Sequence, residues 1–275
     1  MSVQMNNNRQ SSGFSNKIQP LSERQARVME MIREQDFVGV TELASHFDVA
    51  EQTIRRDLNS LCERGMARRV RGGIQHLNMT GNTAYAWRQV LHHQEKQTIA
   101  REVARHVPNG VSVAFSIGTT PEIICGALLD HDQLRIFTNN LNLALLASTN
   151  PTFEVTIAGG RLRNEDRDIL GLGMVELFQA YKVDIGIYGV AGVDGDGTLL
   201  DFYEEEVRAR QLVQQNSRAA FLVLDHSKFG RSAHVRGGHI NQASMVFCDR
   251  TPAAGICEMI HNSGARLIVC GGETL

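Results

Sequence analysis

The sequence predicts two unequal domains, a winged helix-turn-helix followed by a larger α/β domain with a largely parallel sheet. Three observations carry this. The chain has 275 residues, more than one small core usually serves. Helical periodicity between Leu21 and Arg64 gives way to a glycine-centred hairpin. Beyond residue 95, short β-rich runs alternate with helical stretches.

Residues 1–17 are rich in Asn, Gln and Ser and bury too little apolar surface to offset ordering, so a flexible tail is expected. Leu21, Val28, Met31 and Ile32 then recur at helical spacing, with Ser22 ahead of Glu23 as a start signal. A second short helix is expected from Thr41 to Phe47, with Leu43, Ala44 and Phe47 on one face. A third runs from Glu51 to Arg64, where Ile54, Leu58 and Leu61 form a buried stripe and leave Gln52, Thr53, Arg55, Arg56 and Asn59 pointing elsewhere. Gly65 ends that helix. Met66 to Val70, the pair Gly72 and Gly73, and a return strand complete a wing. The domain is bounded at 18–76.

Residues 77–94 are expected to be a linker, and 95–275 the α/β domain. The latter opens with a helix from Glu95 to Val107 carried by Ile99, Val103 and Val107. Strands are predicted at 111–115, 134–137, 153–157, 183–188, 219–224 and 266–269, separated by helical stretches.

With 28 Lys plus Arg against 30 Asp plus Glu, the formal charge of -2 excludes a chain coated throughout in nucleic acid. A local patch is different. Arg55, Arg56, Arg64, Arg68, Arg69 and Arg71 stand against only Asp57 and Glu63, a concentration able to follow a phosphate backbone. A solvated charged face remains the alternative. The five cysteines are scattered without a C-x-x-C pair, which suggests neither a disulfide framework nor a zinc site and fits a reduced cytoplasm. No apolar leader or membrane-length run is read, so no membrane partner is expected. His92 and His93 are adjacent on a helix, point apart and lack a third partner, so no metal and no cofactor are expected. Trp87 is assigned to an interface.

Recognition helices contact bases from their N-terminal end. Arg can donate twice to guanine O6 and N7, and Gln can pair with adenine N6 and N7. Thr41, Gln52, Thr53, Arg55, Arg56 and Asn59, with Arg68, Arg69 and Arg71 of the wing, are therefore the candidate DNA contacts. The alternative is that Arg55 or Arg56 merely pairs with Glu51 or Asp57 on the surface. One such helix reads few base pairs, so at least a dimer is expected on double-stranded operator DNA.

In the second domain, Gly118, Thr119, Thr120, Pro121 and Glu122 follow a strand ending at Phe115, with Pro121 read as the first helical position and Thr120 as its cap. Free backbone N–H groups there make an anion site, or else an ordinary strand-to-helix turn. Loops bearing Asn139, Gly159, Gly160, Asp225 and Lys228 are expected to converge on it at the strand ends. The lysine would neutralise a phosphate, while Asn and Asp would hold hydroxyls. A sugar-phosphate isomerase using Glu206, Asp225 and Lys228 for proton transfer is the alternative from another class.

The run Thr-Ile-Arg-Arg-Asp-Leu at 53–58 and Arg71-Gly72-Gly73, at their spacing, resemble the DeoR family of transcriptional regulators. The stretches at 108–110, 117–122, 138–142, 206–208 and 225–231 are similar to the same family's sensor half. The resemblance implies a non-enzymatic DNA-binding repressor of sugar or glycerol-phosphate metabolism genes, a homo-oligomer (dimer or tetramer). It also implies a Rossmann-like, ribose-5-phosphate-isomerase-like sensor whose phosphorylated sugar or polyol releases it from DNA. The effector set so implied is Ser116, Gly118, Thr119, Thr120, Asn139, Gly159, Gly160, Glu206, Asp225 and Lys228. Three positions depart from the family pattern. Ala50 replaces a capping Ser, Ser116 an Asp, and Arg161 a Glu. The last two would make the pocket more positive, with Glu204 and Glu205 as partial offsets. A DNA-binding protein with a vestigial sensor is the alternative these departures raise.

Overall fold

The computed structural model describes residues 21–35, 37–63, 66–76 and 85–271, which form two compact units. The tail expected at 1–17, Arg64, Gly65 and the 77–84 part of the expected linker lie outside the described residues, as does the Trp87 side chain.

The first unit contains α1 (Glu23–Gln35), β1 (Phe37–Gly39), α2 (Val40–His46), α3 (Glu51–Glu63), β2 (Ala67–Val70) and β3 (Gly73–His76). Ser22 starts α1 as expected. Its hydroxyl accepts from the Gln25 N–H at 3.2 Å, and the Gln25 side-chain carbonyl accepts from the Ser22 N–H at 3.2 Å. Val28, Ile32, Leu43, Ile54, Leu58 and Leu61 are fully buried, so the stripe foreseen on α3 does face the core. Strand β1 was not foreseen. It adds to the hairpin in the order β1-β3-β2, all antiparallel, with Val38 opposite Ile74. A Cβ at Gly73 would stand 2.2 Å from the Val38 carbonyl, so the close approach of β1 admits only glycine there, while Gly72 turns the wing at φ +85°.

The second unit begins inside the segment read as linker. α4 (Tyr85–Val90) and the start of α5 (His93–Arg105) are ordered because Tyr85 is buried and hydrogen-bonded within this unit. There follow β4 (Ser112–Phe115), α6 (Thr119–Ala127), β5 (Arg135–Thr138), α7 (Leu141–Ala147), β6 (Glu154–Ile157), β7 (Leu162–Arg163), β8 (Asp168–Ile169) and α8 (Leu172–Ala180). Then come β9 (Val183–Tyr188), β10 (Gly192–Val193), β11 (Thr198–Asp201), α9 (Glu204–Gln215), β12 (Ser217–Val223), β13 (Val235–His239), β14 (Met245–Cys248), α10 (Ala254–Asn262) and β15 (Arg266–Val269).

Seven strands form one parallel sheet in the order β15-β14-β12-β9-β4-β5-β6. Both faces are covered, which is why its central strands read as continuous apolar runs. Ile99, Val103, Ile124 and Cys125 of α5 and α6 pack on one face. Met174, Leu177, Leu212 and Val213 of α8 and α9, together with Ile256 and Ile260 of α10, belong to two further clusters. From β4 the chain builds outward through β5 and β6, then returns to place β9 on the other side of β4. The ends of β4 and β9 are thus the switch point where open α/β sheets form a crevice.

Candidate functional site

In the first unit, Gln52, Arg55, Arg56 and Asn59 are exposed along α3, Thr53 is half-buried, and Thr41 is exposed on α2. Arg68, Arg69 and Arg71 are exposed on the wing. Thr41 donates to Glu51 at 2.8 Å, Arg68 donates to Gln75 at 2.8 Å, and Arg69 donates to Asn59. The competing pairing is half realised. Arg55 meets Glu51 at 3.1 Å, but with side chains 47% and 44% exposed the pair is solvent-screened and readily exchanged. Arg56 has no hydrogen bond or ion pair among the described residues. Asp57 does not hold it, because this buried carboxylate turns inward to Arg24 at 2.6 Å and Gln25 at 3.2 Å. At Ala50 the backbone carbonyl accepts from Thr53 and Ile54.

In the second unit a cleft opens at the switch point. Ser116 to Pro121 line it after β4, and Gly189 to Ala191 after β9. Arg88, Asp201, Phe202, Glu206, Arg210, Val223, Lys228 and Arg231 complete the walls. Its volume of about 60 Å³ is several times the ~10–15 Å³ that one water needs. Gly118, not Thr120, is the N-cap of α6, at φ 127° and ψ 158°, a conformation only glycine holds cheaply. Thr119 and Thr120 therefore lie in the first turn, and Pro121 is the third helical residue. The N–H groups of that turn have no intrahelical acceptor.

Positive charge gathers around this turn. The Lys96 ammonium donates to the Thr119 hydroxyl at 3.1 Å and to the Arg88 carbonyl at 2.5 Å. Burial pushes Lys96 down to about 8, against the pull of Asp225. Burial also pushes Lys228 down to about 7, helped by Arg231, Lys96 and Arg88 and opposed by Asp225. The Lys228 ammonium makes no hydrogen bond or ion pair within 4 Å among the described residues. Arg88 reaches Asp166, but its Nε is buried without a hydrogen-bond partner among the described residues, and Arg210 Nη1 is likewise unpartnered. Behind Glu206, Arg163 binds Asp168, Asp166 and Glu206 at 2.8, 3.0 and 2.8 Å. Burial nevertheless pushes the Glu206 carboxyl up to about 7 despite the Arg163 guanidinium.

Of the expected effector residues, Ser116, Gly118, Thr119, Thr120, Glu206 and Lys228 line the cleft. Asn139, Gly159, Gly160 and Asp225 do not, and each has a reason. Asn139 follows β5, away from the switch point, and its amide donates to the Ile169 carbonyl at 2.9 Å, so the β7–β8 hairpin covers it. Gly159 follows β6, and its carbonyl lies against Gly173 of α8 so closely that a Cβ there would be 1.9 Å away. Gly160, beside it, is exposed. Asp225 is buried behind Lys228 and accepts from the Ser227 N–H at 3.0 Å. Burial opposes its charge, but Lys228, the Ser227 hydroxyl and Lys96 outweigh that and hold the carboxyl below the usual carboxylate range. Arg161 is exposed and absent from the cleft wall, so it does not make the pocket more positive.

Sequence reasoning missed Arg88, Lys96, Asp201, Arg210 and Arg231. Two of these carried a signal. Lys96 stands three residues before Ile99 on the apolar stripe of α5, and Arg210 stands between Val207 and Val213 on that of α9. A charged residue on a buried stripe needs a polar partner inside. His92 and His93 do diverge, yet His92 finds partners the sequence did not reveal, meeting His226 ring to ring at 4.9 Å near Asp225.

Two family models match. The DeoR-like helix-turn-helix domain covers residues 24–80, and the DeoR C terminal sensor domain covers 91–250. The chain is 39% identical to the glycerol-3-phosphate regulon repressor of Escherichia coli over 90% of its own length and 99% of that protein. It is 34% identical to the HTH-type transcriptional repressor CsqR of the same organism, over 90% of this chain and 94% of the other. It is 27% identical to the repressor GlcR of Bacillus subtilis, over 90% and 95%. Among solved structures, ribose 5-phosphate isomerase A of Methanocaldococcus jannaschii superposes with a TM-score of 0.38 and 14% identity, over 50% of this chain and 55% of that one. The chain belongs to the DeoR family of DNA-binding transcriptional repressors, with the helix-turn-helix in its first unit and the sensor domain in its second.

Proposed function

We propose that the protein represses genes of sugar or glycerol-phosphate metabolism and leaves its operator when a phosphorylated sugar or polyol occupies the switch-point cleft. The proposal rests above all on Lys228, an ammonium on the cleft wall without a hydrogen bond or ion pair among the described residues, facing the first turn of α6. A phosphate there would receive the N–H groups of Thr119 and Thr120, the charge of Lys228 and the unused donor of Arg88. Asp201 and Glu206, on the opposite side of the chemistry, suit the hydroxyls of a sugar or polyol. The name of the E. coli relative is in keeping with such a ligand.

On DNA, α3 would enter the major groove through Gln52, Thr53, Arg55, Arg56 and Asn59, with Thr41 and the wing arginines Arg68, Arg69 and Arg71 on phosphates. Self-association into a dimer or tetramer would present two such helices to paired half-sites.

The test is a thermal-shift panel of phosphorylated sugars and polyols on the wild type and on Lys228→Met, followed by operator titrations by fluorescence anisotropy. A ligand at 100 times its Kd adds about 2.7 kcal/mol of stability. The expected result is one class of phosphorylated compound that stabilises the wild type, lowers operator affinity about 5 to 150-fold, and does neither for Lys228→Met. No response to any phosphorylated compound, with the two proteins alike in every assay, would leave the second unit as an oligomerisation body.

A further inference from the structure

We infer that His92, Asp225 and His226 form a binding site for a divalent transition-metal ion of the zinc class. Their donor atoms lie within 4.8 Å of one another, although they come from the start of α5 and from the loop after β12. The two imidazoles meet edge to face at 4.9 Å. His92 is held there by a left-handed backbone, φ 52° and ψ 39°, which a non-glycine residue adopts at a cost.

The surroundings prepare one ring for coordination. Asp249 accepts from the His226 backbone N–H at 2.5 Å and lies 2.7 Å from its Nδ1. A carboxylate on one ring nitrogen fixes the tautomer and leaves the other nitrogen as a basic lone pair, the arrangement found behind metal-binding histidines. Glu95, whose Oε1 is 3.9 Å from His92 Nδ1 and which clusters with His226 and Asp249, is near enough to offer a further ligand or to hold a metal-bound water. Two imidazoles with carboxylate and no thiolate select zinc-class ions over magnesium and calcium, which prefer all-oxygen sites.

Charge does not forbid the ion. Asp225, Glu95 and Asp249 bring three carboxylates, set against Lys96 and Lys228, whose charges act on Asp225, and the exposed Arg250 at 3.5 Å from Asp249. None of the three proposed ligands lines the cleft, and Asp225 meets it only through its charge on Lys228, so the metal is titrated without any phosphorylated compound present.

The experiment takes the full-length protein, stripped with chelator, and titrates it with Co²⁺ followed by Zn²⁺. Expected are one Co²⁺ per chain, visible-region bands of a four- or five-coordinate nitrogen and oxygen site, no thiolate charge-transfer band, and displacement by Zn²⁺. His92→Ala should lose on the order of 100-fold or more in affinity, and Asp249→Asn about 10 to 100-fold, while His93→Ala titrates like the wild type. The side chains of His92 and His226 are 11% and 27% exposed, so the circular dichroism of each alanine variant is compared with the wild type first, and either one that folds decides the matter. Absence of stoichiometric binding, a thiolate band, or unchanged affinity in His92→Ala would overturn the site.

Discussion

Arg163 donates to Glu206 at 2.8 Å while also holding Asp168 and Asp166, so one guanidinium serves three carboxylates. It cannot neutralise all of them, and Glu206, buried beside the cleft, keeps its proton up to about 7.

This has a sign in stability. An unfolded Glu206 loses its proton near 4.5, whereas the folded one holds it to about 7, so folding stability should fall as pH rises through that window. The full difference is on the order of 3 kcal/mol. Glu206→Gln should flatten the corresponding part of the slope, measured by urea melts at pH 5 and pH 8. A slope equal to the wild type's would refute it.

Arg56 is exposed and without a hydrogen bond or ion pair among the described residues, and Arg55 holds only a screened pair. Arg55→Ala and Arg56→Ala should each weaken operator binding without changing the melting profile. A base contact should cost about 1 to 3 kcal/mol and relax specificity, whereas a phosphate contact should reduce the salt slope by about 1. Anisotropy titrations at several salt concentrations separate the two, and unchanged affinity in both variants would remove α3 from the groove.

Ala50 offers α3 a carbonyl and no side-chain oxygen. Ala50→Ser should slow amide exchange at Gln52 or Thr53, the amides a capping hydroxyl reaches, and stabilise the helix by about 0.5 to 1.5 kcal/mol. Hydrogen exchange on the full chain is the measurement. No slowing at either amide would mean that a hydroxyl at position 50 does not cap the helix.

The Tyr85 hydroxyl donates a hydrogen bond to Glu122 and accepts from Asn142 at 2.6 Å and Gln89 at 3.0 Å. Burial pushes the Glu122 carboxyl above its ordinary value, so the hydroxyl is one of few groups that favour its charge. Tyr85→Phe should destabilise the second unit by about 1 to 3 kcal/mol, seen as faster proteolysis or exchange in α4. Unaltered protection there would show that the ties of Arg88 to Asp166, Lys96 and Thr119 suffice to hold α4.

Periodicity made α3 legible, because Ile54, Leu58 and Leu61 satisfy a helical stripe without help from distant residues. The same is true of β4 and β9, whose apolar runs reflect burial on both faces. What escaped depends on pairing across the chain. β1 has three residues and exists by leaning on β3, and β14, with four, sits between β12 and β15. The cleft divides in the same way. Gly118 to Thr120 were readable as a turn, but Arg88 enters from a helix taken for linker. Asn139 and Gly159 were placed by a convergence rule that holds at the switch point and not beyond β5.

The ties that anchor α4 also say where the molecule can be recut. Tyr85 on Glu122, Arg88 on Asp166, and Lys96 on the Arg88 carbonyl are all internal to the sensor. A chimaera that grafts another DNA-reading module onto this sensor must therefore take its seam between His76 and Tyr85. A seam placed at residue 94, where the sequence suggested one, would cost Glu122, Asp166 and Lys96 one partner each and take Arg88 out of the cleft wall.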